Sequence, residues 1–101
     1  MLDSARDVVA FSKGRARPDL DTDRQLVLAL VKAVEIIGEA AYQVSPEARK
    51  DFAAIPWDDL VGMRHRLVHA YFDIDLDILW QTVIGDVPSL LHVLEKVPLT
   101  D

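Results

Sequence analysis

The chain has 101 residues, half of them hydrophobic, with 17 acids against 11 lysines and arginines, no cysteine and a net charge of −6. That length suits one domain spanning residues 1–101, close to the lower limit for a self-sufficient core. Lack of cysteine excludes a disulfide framework and a thiolate metal site, and the acidic balance argues against a protein that grips duplex DNA over a long basic surface.

No apolar run approaches about 18 residues without charges, so no transmembrane helix is expected. Met1 to Phe11 carries Asp3, Arg6 and Asp7 and lacks a signal-peptide layout, which makes the cytoplasm the expected location. Half hydrophobic is also more apolar surface than one small monomer easily hides, and a homo-oligomer is the expectation.

In chain order, the first helix covers roughly Leu2 to Lys13 and stops at Gly14, with Pro18 preventing an early restart. The Asp19-Leu20-Asp21-Thr22-Asp23 stretch supplies cap residues and acids for the start of a long helix that runs to about Gln43. In that helix Leu26, Val27, Ala29, Leu30, Val31, Ala33, Val34, Ile36, Ile37, Ala40 and Ala41 sweep roughly 220° at about 100° per residue. A surface helix of a monomer shows a narrower stripe. Two readings fit: a central helix packed on three sides, or one side for the core and another for a second subunit.

Ser45-Pro46-Glu47 opens a short helix as cap, N1 proline and first-turn acid. Ile55-Pro56-Trp57-Asp58-Asp59 repeats that arrangement and starts a helix from Pro56 to about Ala70. Asp73 or Asp75 caps a helix carrying Leu76, Leu79, Trp80 and Val83, which Gly85 and Pro88 interrupt or kink. The last helix carries Leu90, Val93, Leu94 and Val97. With no competing strand pattern, the fold class is all-α, a small helical bundle.

The chemistry concentrates in the helix after Pro56. Trp57, Leu60, Val61, Met63, Leu67, Val68 and Tyr71 share one face of an ideal wheel, and Arg64 falls in the middle of it. A guanidinium there needs a carboxylate, a phosphate or water to meet it. Arg64 is therefore either a phosphate clamp or the partner of a core acid such as Glu35 or Glu39. His69 lies about 140° round from Arg64, so one straight helix does not aim both at the same atom. It is either a dipole partner at a helix C-terminus or a proton-transfer group.

His65 and His69 stand four residues apart, but no acid lies between them and arginines flank them, which argues against a metal site. Arg66 lies on the polar side, as a solvated charge or a secondary phosphate contact. Tyr71, within about 20° of Arg64 on the wheel, also reads as an aromatic anchor with its hydroxyl at the rim. Trp57, Phe72 and Trp80 are spaced as core or interface residues, and His92 is expected to be exposed.

Ile55-Pro56-Trp57, Gly62-Met63-Arg64 and Leu67-Val68-His69-Ala70-Tyr71-Phe72 together resemble the HepT-like branch of the HEPN superfamily. So do Glu35-Ile36-Ile37-Gly38-Glu39-Ala40, Asp75, Trp80 and Asp86-Val87-Pro88, while residues 1–20 match more loosely. The resemblance implies a HEPN-type bundle of about five to six helices, assembled as a homodimer. It implies the toxin of a type VII-like toxin–antitoxin pair, a cofactor-free and metal-independent endoribonuclease. The family motif of arginine, four residues, histidine, one residue and tyrosine maps onto Arg64, His69 and Tyr71. Arg64 and His69 would be catalytic at a cleft shared by two protomers, leaving a 2′,3′-cyclic phosphate on the RNA, with His65 and Arg66 as RNA contacts. The implied partner is a nucleotidyltransferase antitoxin that adds AMP to Tyr71. The alternative is a catalytically silent helical dimerisation or nucleotide-binding module.

Overall fold

The computed structural model describes residues 1–67 and 73–96, the side chain of Arg64 excepted. Helix α1, Leu2–Ser12, buries Ser4, Ala5 and Val8 and ends before Gly14, whose φ of 75° is the left-handed conformation that glycine adopts without a Cβ clash. A single turn, α2, Asp19–Thr22, buries Leu20 and leads directly into the long α3, Arg24–Gln43. Asp23 caps α3 by accepting from the Leu26 amide at 3.0 Å, satisfying an N–H that the first turn leaves without a helical partner.

The far end of α3 is closed by a different device. Arg49 donates from Nη2 to the Ala41 carbonyl at 2.9 Å and from Nε to the Val44 carbonyl at 3.2 Å. It sits on α4, Pro46–Asp51, which starts with Pro46 at its first turn and the Ser45 hydroxyl accepting from the Ala48 amide at 3.2 Å. Helix α5 follows, Trp57–Leu67, with Asp58 and Asp59 in its first turn.

After residue 73 the chain forms α6, Leu76–Gln81, and Asp75 rather than Asp73 supplies its cap, accepting from the Ile78 amide at 3.1 Å. Gly85 and Pro88 do not separate α6 from the last helix. The backbone widens instead into a π-helical turn, Thr82–Asp86, and runs straight into α7, Val87–Lys96, with the Val87 amide bonded five residues back to the Thr82 carbonyl. Proline has no N–H to donate and its ring crowds the carbonyl four residues earlier, which makes an α-turn costly here and a wider one acceptable.

Helix α3 is the centre of the bundle, packed on α5 and on α1, while α1 also packs on α7. The core is built from Val8 of α1, Leu30, Val34 and Ile37 of α3, and Leu60, Met63 and Leu67 of α5, joined by Leu79, Val83, Val87 and Leu90. Each such side chain contributes about 1.5–3 kcal/mol through burial, so this row holds the helices together. The wide apolar arc of α3 is mostly core, since Leu26, Val27, Leu30, Val31, Ala33, Val34, Ile37 and Ala41 are all buried. Leu28 and Ile36 remain 47% and 40% exposed.

The regular elements of the described residues are helices, an all-α fold. They include seven α-helical segments where the sequence suggests five to six, the addition being α2, which is too short for any periodicity to announce it. Trp57 and Trp80 pack against the core from its edge, and His92 is exposed, both as expected. Val68, Phe72 and Val97 lie outside the described residues. No helix among the described residues is long and apolar enough to cross a membrane.

Candidate active site

Helix α5 carries the motif, and its placement follows from three contacts. Leu60, Met63 and Leu67, at i, i+3 and i+7, are buried against α3. At the crossing, a Cβ built on Gly38 would lie 2.9 Å from the Leu60 carbonyl oxygen, so glycine is what lets the α5 backbone approach α3 this closely. At its entry, the Trp57 indole N–H lies 3.2 Å from the carbonyl oxygens of both Arg49 and Phe52, and the Arg49 guanidinium sits 5.8 Å from the Trp57 ring centroid. Helix α5 is thereby fixed at its first turn and at its middle.

Arg64 belongs to the helical part of α5, one turn beyond Leu60. The contacts of its side chain, including any with Glu35 or Glu39, fall outside the described set. His65 and Arg66 follow on the exposed side of α5. Arg66 donates from Nη2 to the Asp59 carbonyl at 3.2 Å and borders an open groove of about 590 Å³ between α5 and α7, beside Asp59 and Asp86. His69 and Tyr71 lie outside the described residues, and so does the spacing of His65 from His69, a pair whose sequence setting argues against a metal site. Among the described residues no three His, Asp or Glu side chains gather as metal ligands.

The two ends of the motif segment are nevertheless placed. Leu67, the last residue of α5, is fully buried, and its carbonyl accepts from the Asp75 amide at 2.8 Å. The chain that leaves α5 at Leu67 thus returns to it at Asp75, where the α6 cap begins. Beside this return point lies a second open groove, of about 900 Å³, with a floor including Val31, Ile74 and Leu76 and a rim including Arg24, Lys32 and Glu35.

Sequence reading missed two features that hold this region. Gly38 carried a usable signal, because a glycine inside a strongly apolar helix marks a close packing contact. Arg17 carried none. It stands outside any helix yet reaches Asp77 from Nε at 2.9 Å and Nη2 at 2.8 Å, and Asp21 from Nη1 at 3.0 Å. The hydrogen bonds it donates to Asp21 and then to Asp77 raise its pKa above the ordinary arginine value, keeping the guanidinium charged.

Comparison with known proteins gives a consistent result. The family model described as "Ribonuclease HepT-like" matches residues 1–97. A protein named "Putative RNase MJ1380" from Methanocaldococcus jannaschii is 37% identical over 97 residues, covering 96% of this chain and 89% of that protein. "Probable ribonuclease HepT" from Thermococcus cleftensis is 39% identical over 87 residues, 86% of this chain and 79% of its own length. "Putative RNase TTE0752" from Caldanaerobacter subterraneus subsp. tengcongensis is 37% identical over 97 residues, 96% of this chain and 87% of its own. No solved structure gives a significant match.

Proposed function

The chain belongs to the ribonuclease HepT-like family, and from that premise we propose that it is a metal-independent endoribonuclease acting as the toxin of a toxin–antitoxin pair. The observation that carries this reading is a family match whose span takes in the whole Arg64, His69 and Tyr71 set. The relatives' names, which refer to RNases, support RNA as the substrate.

In the proposed reaction the RNA 2′-oxygen bonds to the adjacent phosphorus and the bond from phosphorus to the 5′-oxygen breaks. A 2′,3′-cyclic phosphate and a 5′-hydroxyl end result. His69 takes the proton from the 2′-hydroxyl or delivers one to the departing 5′-oxygen, with water making the other transfer. Arg64 meets the charge that grows on the non-bridging phosphate oxygens. His65 and Arg66, exposed on the next positions of α5, contact the flanking phosphates.

The reading places the working site at a cleft between two copies of one domain, because Arg64 and His69 would point about 140° apart on one ideal straight helix. Exposed Leu28 and Ile36 on α3 supply apolar surface for such an assembly. Neutralisation follows from transfer of AMP to Tyr71 by a nucleotidyltransferase antitoxin, which sets phosphate charge beside Arg64 and repels RNA. The proposed location is the cytoplasm.

The test is growth arrest on induction, comparing wild type with Arg64→Ala and His69→Ala, followed by sequencing of RNA ends. Wild type alone should arrest growth and leave cyclic-phosphate ends, with purified protein equally active in a chelator. A folded His69→Ala protein of full activity removes the assignment and leaves a silent dimerisation or nucleotide-binding module as the reading.

A further inference from the structure

Helix α6 begins where the motif segment ends, and something must fix where that beginning sits. Three linked contacts do so. The Asp75 amide is bonded to the Leu67 carbonyl at 2.8 Å. The Asp75 carboxylate caps α6 at the Ile78 amide, 3.1 Å away. Asp77, in the same first turn of α6, is gripped by Arg17 across 60 residues of sequence. Arg17 is in turn held by Asp21 of α2, and α2 is anchored through buried Leu20.

A continuous chain of contacts therefore runs from α2 through Arg17 and Asp77 to the α6 cap, and from there to the last carbonyl of α5. The Arg17 side chain is 31% exposed and that of Asp77 79% exposed. Exposed single ion pairs contribute little to global stability and a small network such as this one contributes modestly, so stabilisation is not its whole role. Its geometry suits a different task. A guanidinium fork restricts direction as well as distance, and two carboxylates from separate elements leave it little freedom.

We propose that Arg17 is a positioning residue for the Arg64/His69/Tyr71 motif: by holding Asp77, it fixes the point at which the chain leaving α5 at Leu67 returns at Asp75. This rests on the ribonuclease reading for its consequence on cleavage, while its effect on the α5–α6 closure stands without that reading. A displacement of about 1 Å in a catalytic segment can cost up to about 100-fold in rate even when its cause lies far from the reacting atoms. Loss of one partly exposed clamp should cost several-fold.

The experiment uses the full chain with Arg17→Met, Asp77→Asn, the double variant and Arg17→Lys. Hydrogen exchange of the Asp75 amide is read beside that of Leu30 and Val34 in the core of α3. Single-turnover cleavage of RNA is measured on the same samples. The expected result is several-fold faster exchange at Asp75 with unchanged exchange in α3, and a several-fold lower cleavage rate at unchanged KM. The double variant should be no worse than either single one, because both remove the same contact. Arg17→Lys should recover part of the loss, since an ammonium can serve one of the two carboxylates. Unchanged exchange at Asp75 overturns the proposal, as does an acceleration spread equally through α3, which would make the pair a general stabiliser. A wild type that cleaves no RNA removes the activity reading, and the Asp75 exchange then still decides whether the clamp exists.

Discussion

Gly38 and Leu60 mark a close approach of α3 to α5: a Cβ at position 38 would stand 2.9 Å from the Leu60 carbonyl oxygen. The obstacle is backbone, which cannot swing aside as a long side chain can. Helix propensity alone favours alanine over glycine by about 1 kcal/mol, but overpacking of this kind costs about 1–3 kcal/mol. Gly38→Ala should therefore destabilise on balance, by up to about 2 kcal/mol, read from the urea midpoint. Gly85→Ala is the control, because a Cβ there meets nothing within 4 Å and should leave the midpoint unchanged or raised. Since the Leu60 contact lies one turn before Arg64, Gly38→Ala should also lower RNA cleavage by more than its stability loss accounts for.

Arg49 serves three ends at once, closing α3 at Ala41 and Val44, covering the Trp57 ring and offering its carbonyl to the Trp57 indole. Lysine keeps the charge but lacks the fork that reaches two carbonyls. Arg49→Lys should lower stability by about 1–2 kcal/mol, in line with loss of charge-assisted hydrogen bonds. Trp57→Phe, which keeps the ring and removes the N–H donor, should cost about 0.5–1.5 kcal/mol. Equal midpoints for Arg49→Lys and wild type would show that the fork is dispensable.

Asp75 caps α6 with its side chain while its amide closes the motif segment onto Leu67. Removing a cap of this kind costs about 0.5–2 kcal/mol, whereas asparagine caps nearly as well as aspartate. Asp75→Ala should accordingly lose stability within that range and lower RNA cleavage, and Asp75→Asn should keep most of both. Thermal unfolding and single-turnover cleavage of the two variants separate the cap from the charge.

Arg66 is exposed and borders the groove between α5 and α7. If it meets an RNA phosphate, Arg66→Ala should weaken binding of catalytically inactive protein to single-stranded RNA regardless of sequence. The slope of log affinity against log salt should then fall by about 0.7, the value expected for one phosphate contact on a single strand. An unchanged slope would return Arg66 to the role of a solvated charge.

Most of the fold was legible because its helix starts are written in local chemistry. Asp23, Ser45 and Asp75 cap the helices that follow them, and each is the type of residue that competes for backbone N–H groups at a helix start. The buried rows of α3 and α5 repeat at helical spacing and needed no tertiary knowledge. What stayed hidden depends on residues distant in sequence. Nothing local to Arg17 announces Asp77, 60 residues away, and the wheel that placed Arg64 on the apolar face cannot report the width of the turn at Thr82–Asp86. The candidate site was legible as residue types and spacing, because the motif is contiguous. The clamp at its border was not.

The π-helical turn at Thr82–Asp86 has a consequence for how this chain can change in length. Deleting one residue from an α-helix rotates everything beyond it by about 100°, which in α3 would carry Val34 and Ile37 out of the core. A turn closed by bonds five residues apart already holds a surplus residue, and the Val87 amide reaches Thr82 across it. Removing exposed Gly85 would take out that surplus residue and keep Val87 and Leu90 in register with the core, at the cost of the Pro88 ring crowding the carbonyl four residues before it. A single-residue deletion therefore has its least disruptive address between α6 and α7, at the edge of the groove that α7 shares with the motif helix.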